Sequence, residues 1–139
     1  MRYLLDTNAF SEVLRPNPDP AFIAWFRATH EDDLYVSVLT VGELARGAEM
    51  LPPGRRRSDI ESAIANLLAD YSDRILAIDI GVAKAWAMLS SRYKRDGVVV
   101  GAIDELMAAT ALNSDCCIVT RNVRHFEHCG CELLSPWAT

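Results

Sequence analysis

Short apolar runs alternate with helix-period stripes along this chain. Arg2 to Leu5, Leu34 to Ser37, Ile75 to Ile78, Cys116 to Thr120 and Glu132 to Leu134 predict five strands. The apolar ones lack the polar alternate positions of a half-solvated strand, as expected of a sheet covered on both faces. Ile60, Ala63, Ile64, Leu67, Leu68 and Tyr71 share one face of a predicted helix, with Ser58 and Asp59 near its start and Arg55-Arg56-Arg57 in front. Val82, Ala85, Trp86, Leu89 and Tyr93 mark another, which should stop near Asp96-Gly97.

Breaks in the pattern separate these elements. Pro16, Pro18 and Pro20 divide a short helix beginning near Thr7 from a second that carries Phe22, Trp25 and Phe26. Pro52-Pro53-Gly54 interrupts the chain again. No repeat, low-complexity stretch or linker is visible, so residues 1–139 read as one domain. Strands alternating with helices predict an α/β sandwich around a mainly parallel sheet.

Three acids stand at chemically suggestive places. Asp6 follows the run Tyr3-Leu4-Leu5, at the strand end where open α/β folds build ligand sites. Glu43 lies between Gly42 and Gly47 on a predicted helix, and Asp104 near the start of Ile103 to Ala111. Helical glycine costs up to ~1 kcal/mol relative to alanine, which suggests close approach of another backbone or a ligand near Glu43. Each acid also has an ordinary reading: Asp6 and Asp104 as helix N-caps, Glu43 as a solvated helix residue. Brought together, the three would repel one another enough to call for a cation, of the magnesium or manganese type, and so for phosphate chemistry. Thr120-Arg121-Asn122 adds polar groups at the same expected sheet edge.

Charge and composition narrow the picture. A formal net charge of −5 argues against a whole-surface grip on nucleic acid but permits a local basic rim. No N-terminal stretch reads as a signal peptide and no run approaches the ~18 apolar residues of a membrane span, so the cytoplasm is the expected location. Cys116, Cys117, Cys129 and Cys131 match no common zinc spacing and are expected to be reduced structural thiols.

The ordered set LLDTN, SVLTVGELARGAE, IDELMAATAL and IVTRNVRHF resembles the PIN-domain ribonucleases, in particular VapC toxins of bacterial toxin–antitoxin pairs. RPNPDPAFIAW and the terminal SPW are similar to the FitB branch. The resemblance implies a three-layer α/β/α sandwich with a five-stranded sheet. It makes Asp6, Glu43 and Asp104 the acidic triad for Mg²⁺ or Mn²⁺, with Thr120 orienting a water or scissile phosphate. The chain departs from the pattern at the fourth acidic position. In the FitB-like branch an acid follows the Thr-Arg pair, where this chain has Asn122; many VapC sequences carry it before the Phe, where this chain has His125. Asn122 is taken as the fourth ligand, one charge weaker, and His125 as a packed or solvent-edge residue, or else as a metal ligand or phosphate contact.

The same resemblance implies an endoribonuclease toxin that forms a homodimer and binds a cognate antitoxin. Arg15, Arg46, Arg121 and Arg124 are the cations nearest the motifs, for an RNA substrate or as plain solvated surface. The Phe22-Trp25-Phe26 stripe reads as core or as a docking face for a partner peptide. Two other readings stay in view. A haloacid-dehalogenase type phosphatase needs a second Asp where this chain has Asn8, and a catalytically weak PIN domain would act mainly by binding antitoxin or RNA.

Overall fold

Five strands lie side by side in the order β3-β2-β1-β4-β5, comprising β1 (Arg2–Leu5), β2 (Leu34–Ser37), β3 (Ile75–Leu76), β4 (Cys116–Val119) and β5 (Leu133–Leu134). The computed structural model describes residues 1–138. Every strand pairing is parallel, with Leu4 opposite Tyr35 on one side and Ile118 on the other. β1 is central, and the chain builds outward to β2 and β3 before crossing back to β4. Asp6 and Thr120 therefore end the two strands that flank the point where strand order reverses, the place where such sheets hold ligands.

Among the described residues six α-helices cover the two faces: α1 (Thr7–Val13), α2 (Pro20–Ala28), α3 (Val38–Glu49), α4 (Arg55–Asp70), α5 (Ile80–Asp96) and α6 (Ala102–Ser114). Side-chain alternation along the strands makes two cores. Leu4 and Ile118 pack with Leu89 and Tyr93 of α5 and Met107, Ala108 and Ala111 of α6. Leu5, Val119, Leu34 and Val36 face the other way, onto Phe10, Phe22 and Leu67 of α1, α2 and α4. The expected α/β/α sandwich is the observed one. Among the described residues no helix is long and apolar enough to cross a membrane.

Local chemistry sets the boundaries, and it corrects several expectations. The third strand pairs over Ile75 and Leu76 only, because the chain turns away to Asp79, whose carboxylate caps α5 by accepting from Val82 N at 2.9 Å. Gly97 ends that helix at φ 68°, a conformation glycine adopts without strain. α4 starts at Arg55, so the three arginines form its first turn rather than precede it. Asp104 does not cap α6: Gly101 holds the cap position, and Asp104 stands in the first turn, where the helix dipole favours an acid. The cysteines are free, with Cys116, Cys117 and Cys129 buried in the core.

The aromatic stripe of α2 is core. Phe22 is fully buried and lies 4.6 Å from the Trp137 ring, while Trp25 meets Tyr3 edge-on at 5.3 Å. Trp25 and Phe26 are half-buried, and Phe26 also lines an open pocket with Phe10, Val13 and Leu67.

Among the described residues no other backbone approaches Gly42 or Gly47, since a Cβ at either would meet no heavy atom within 4 Å. Their cost to the helix is thus uncompensated by packing. Gly47→Ala should stabilise the protein by about 0.5–1 kcal/mol in urea denaturation. A loss of stability would show that the backbone at Gly47 needs more room than its surroundings indicate.

Candidate active site

The site starts from Asp6, carried into position by β1. Its backbone N–H donates to Val119 O at 2.9 Å, extending the sheet by one residue, and its side chain then caps α1 by accepting from Thr7 N at 2.9 Å. Asn8 Nδ2 donates to the second carboxylate oxygen at 3.1 Å and Thr120 Oγ1 donates to the same oxygen at 2.8 Å. The capping and ligand readings of Asp6 are compatible, because Oδ1 accepts only the Thr7 N–H and keeps a lone pair, while Oδ2 already accepts from both Asn8 and Thr120. Burial pushes the Asp6 carboxyl above the ordinary carboxylate range; the bonds from Thr120 and Thr7 pull it back, and the charges of Asp104 and Glu43 raise it further.

Two helices bring the other acids. Glu43 projects from α3, and Thr7 Oγ1 donates to its Oε1 at 2.6 Å while lying 3.1 Å from the buried Thr40 hydroxyl. Thr7 thus ties α3 to the start of α1. Asp104 projects from the first turn of α6, with its Oδ2 3.3 Å from His125 Nδ1. His125 keeps 57% of its side-chain surface exposed and stands at the cleft edge beside Asp104, the solvent-edge placement expected of it. Asp6, Glu43 and Asp104 line one open cleft of about 530 Å³, and Asn122 and His125 line it too.

Thr120 is not in that cleft. It is fully buried, its hydroxyl donating to Asp6 and accepting from Asn122 N at 3.0 Å. It orients Asp6 rather than a water or phosphate, because the strand end points its side chain inward. Asn122 sits beyond it, its backbone held by Thr120 and its side chain lining the cleft. Asn8, whose role the sequence did not single out, bridges the two strand ends: besides its bond to Asp6 it accepts from Arg121 N at 3.1 Å.

Of the four expected arginines, Arg15 and Arg121 line the cleft; Arg124 lines the adjoining pocket with Asp104 and His125, and Arg46 lines neither. Arg46 lies a turn further along α3 than Glu43, which carries it away from the opening. A fourth acid at the cleft, Glu12 of α1, went unnoticed in the sequence. It is only 3% exposed and accepts from Trp137 Nε1 at 2.8 Å and from Asp19 N at 3.1 Å. Its carboxyl is held below the ordinary range, chiefly by the indole N–H and against the opposing effect of burial. Ser-Glu inside a short helix gives no hint of this, since the decisive partner lies 125 residues away.

The donor set is all oxygen, from Asp6, Glu43, Asp104 and the Asn122 amide, which suits a hard divalent cation rather than zinc or copper. As the side chains stand, no three His, Cys, Asp or Glu groups among the described residues are gathered closely enough to share one ion. Glu43 is turned onto Thr7 and Asp104 onto His125. Those contacts relieve, in part, the repulsion that a cation would otherwise relieve.

A family model described as PIN domain matches residues 3–130. The VapC ribonuclease Y4jK of Sinorhizobium fredii is 34% identical over 135 residues, 96% of this chain and 96% of its own. Toxin FitB of Neisseria gonorrhoeae is 33% identical, covering 96% of this chain and 97% of its own. The crystal structure of FitAcB from the same organism matches with a TM-score of 0.90 at 33% identity, over 99% of each chain. The matched span takes in β2, β3, β4, nearly all of β1 and every acid that lines the cleft, and the chain belongs to the PIN-domain family.

Proposed function

We propose that this chain is an endoribonuclease dependent on Mg²⁺ or Mn²⁺, the toxin of a VapBC-like pair. The observation that carries this reading is the meeting of Asp6, Glu43 and Asp104, from β1, α3 and α6, in one cleft that Arg15 and Arg121 also line. Likeness at the level of a third of all residues to proteins named as a VapC ribonuclease and as a toxin supports it. A toxin of this kind implies a cognate antitoxin partner; a homodimer and a cytoplasmic setting complete the proposal.

Each residue has a task in hydrolysis. Asp6, Glu43, Asp104 and Asn122 would hold the cation. Bound there, it would supply a water of lowered pKa and offset charge on a phosphodiester oxygen. The Thr7 N–H, Asn8 and Thr120 fix the Asp6 carboxylate that would hold it, Thr120 by its direct bond to Oδ2. Displacement of the 3′-oxygen by water leaves a 5′-phosphate and a 3′-hydroxyl. Asn122, uncharged where related patterns place an acid, favours a second reading, a weakly catalytic domain that mainly binds antitoxin or RNA.

Cleavage of bacterial RNA by isosteric variants separates the two. Asp6→Asn, Glu43→Gln and Asp104→Asn should each lose more activity than the roughly 10–100-fold of an outer-sphere change, and Thr120→Val should fall within that range. Far-UV circular dichroism should stay unchanged. Full activity in Asp104→Asn sinks the metal-nuclease reading, and no metal-dependent cleavage by the wild type establishes the weak one.

The fourth position is tested by calorimetric titration of manganese. Asn122→Asp adds a charge at the cleft and should tighten binding, whereas His125→Ala should change it little. Unchanged affinity in Asn122→Asp together with lost binding in His125→Ala would make His125 the ligand instead.

A further inference from the structure

Glu12 is more than the anchor of the C-terminal segment. The guanidinium groups of Arg15 and Arg121 converge on its Oε1, at 3.4 Å and 4.0 Å, the same oxygen that receives the Trp137 indole. The bonds from Trp137 and Asp19 are short and bury the carboxylate, while the two arginines keep 58% and 60% of their side-chain surface open. Two like charges would not meet over one point without an anion beneath them. Both arginines also line the cleft that holds Asp6, Glu43 and Asp104. Exposed ion pairs of this length add little to folding, so stability alone does not explain the arrangement.

We infer that Glu12 is a positioning residue, whose shielded carboxylate pairs Arg15 and Arg121 into a two-guanidinium grip for the phosphates of single-stranded RNA. The inference rests on the ribonuclease reading for its ligand. An acidic cleft repels the RNA backbone, and cations fixed at its edge offset that repulsion where the strand must enter. Glu12 itself adds one negative charge near the phosphates. The two guanidinium charges it holds outweigh that one charge, and ordering two long, flexible side chains anew at each binding event would be the larger loss.

The test is binding of a fluorescein-labelled single-stranded RNA in EDTA, followed by anisotropy across a salt series, so that its outcome is independent of cleavage. Arg15→Ala and Arg121→Ala should each lower the slope of log affinity against log salt by about 0.7, and the double variant by about twice that. Glu12→Gln should weaken binding several-fold and shrink the further effect of Arg121→Ala. Trp137→Phe removes the indole donor but leaves the Glu12 charge; it should lower the melting temperature and leave affinity within twofold.

Tighter or unchanged RNA binding by Glu12→Gln would overturn the inference, as would equal weakening by Trp137→Phe, which would make Glu12 purely a tail anchor. If Glu12→Gln does not fold, the arginine variants decide, and unchanged slopes in both overturn the grip. Slopes as expected together with no metal-dependent cleavage by the wild type would sink the nuclease reading and leave the grip standing.

Discussion

A carboxylate buried at the end of the central strand constrains everything around it. Asp6 is only 8% exposed, and an ion in that position costs several kcal/mol unless its oxygens are met. They are met by Thr7 N, Asn8 and Thr120, and hydrogen bonds to a charged group contribute about 1.5–3 kcal/mol each. Those three donors come from the start of α1 and the end of β4. Satisfying Asp6 therefore fixes the register of the strand pair at the reversal point and the entry angle of the first helix together. Even so its carboxyl remains above the ordinary range, because burial outweighs the bonds and two more acids stand near. The fold has accepted a standing electrostatic strain at this one edge.

The neighbouring polar contacts follow from that strain. Thr7 joins Glu43 to the buried Thr40, and His125 faces Asp104, so each of the other acids has a partner that can be exchanged for a cation. Both contacts lie at the cleft, where Glu43 is exposed and a change of rotamer displaces nothing in the core. Beneath them Thr120 and Asn8 are shared between strands and do not have that freedom. The cleft combines a rigid first acid with two adaptable ones.

Much of this was legible in the sequence. Short apolar runs alternating with helix-period stripes suit a sheet covered on both faces, and from that alternation the parallel sheet and the strand-end location of Asp6 could be read. The α5 stop at Gly97 was legible for a similar reason, since only glycine takes that backbone without strain. The direction of a side chain at a strand end was not legible: Thr120 points inward to Asp6 while Asn122, two residues on, reaches the cleft. Helix starts differ for a local reason: Gly54 and Gly101 hold the cap positions without a side-chain bond, so α4 begins ahead of Ser58 and Asp104 falls inside the first turn of α6. Gly42 and Gly47 suggested a crowding that no other backbone among the described residues supplies. Glu12 was invisible because its meaning depends on Trp137, at the opposite end of the chain.

The central claim is that the three carboxylates form a cation site whose first member is held under strain by the fold. Thermal melting of the wild type and Asp6→Asn, each in EDTA and with manganese at about one hundred times its dissociation constant, tests it most directly. Binding to the folded state alone should raise the wild-type melting temperature by on the order of 10 °C, with little change in Asp6→Asn. Equal shifts in both proteins would place the metal elsewhere and contradict the account.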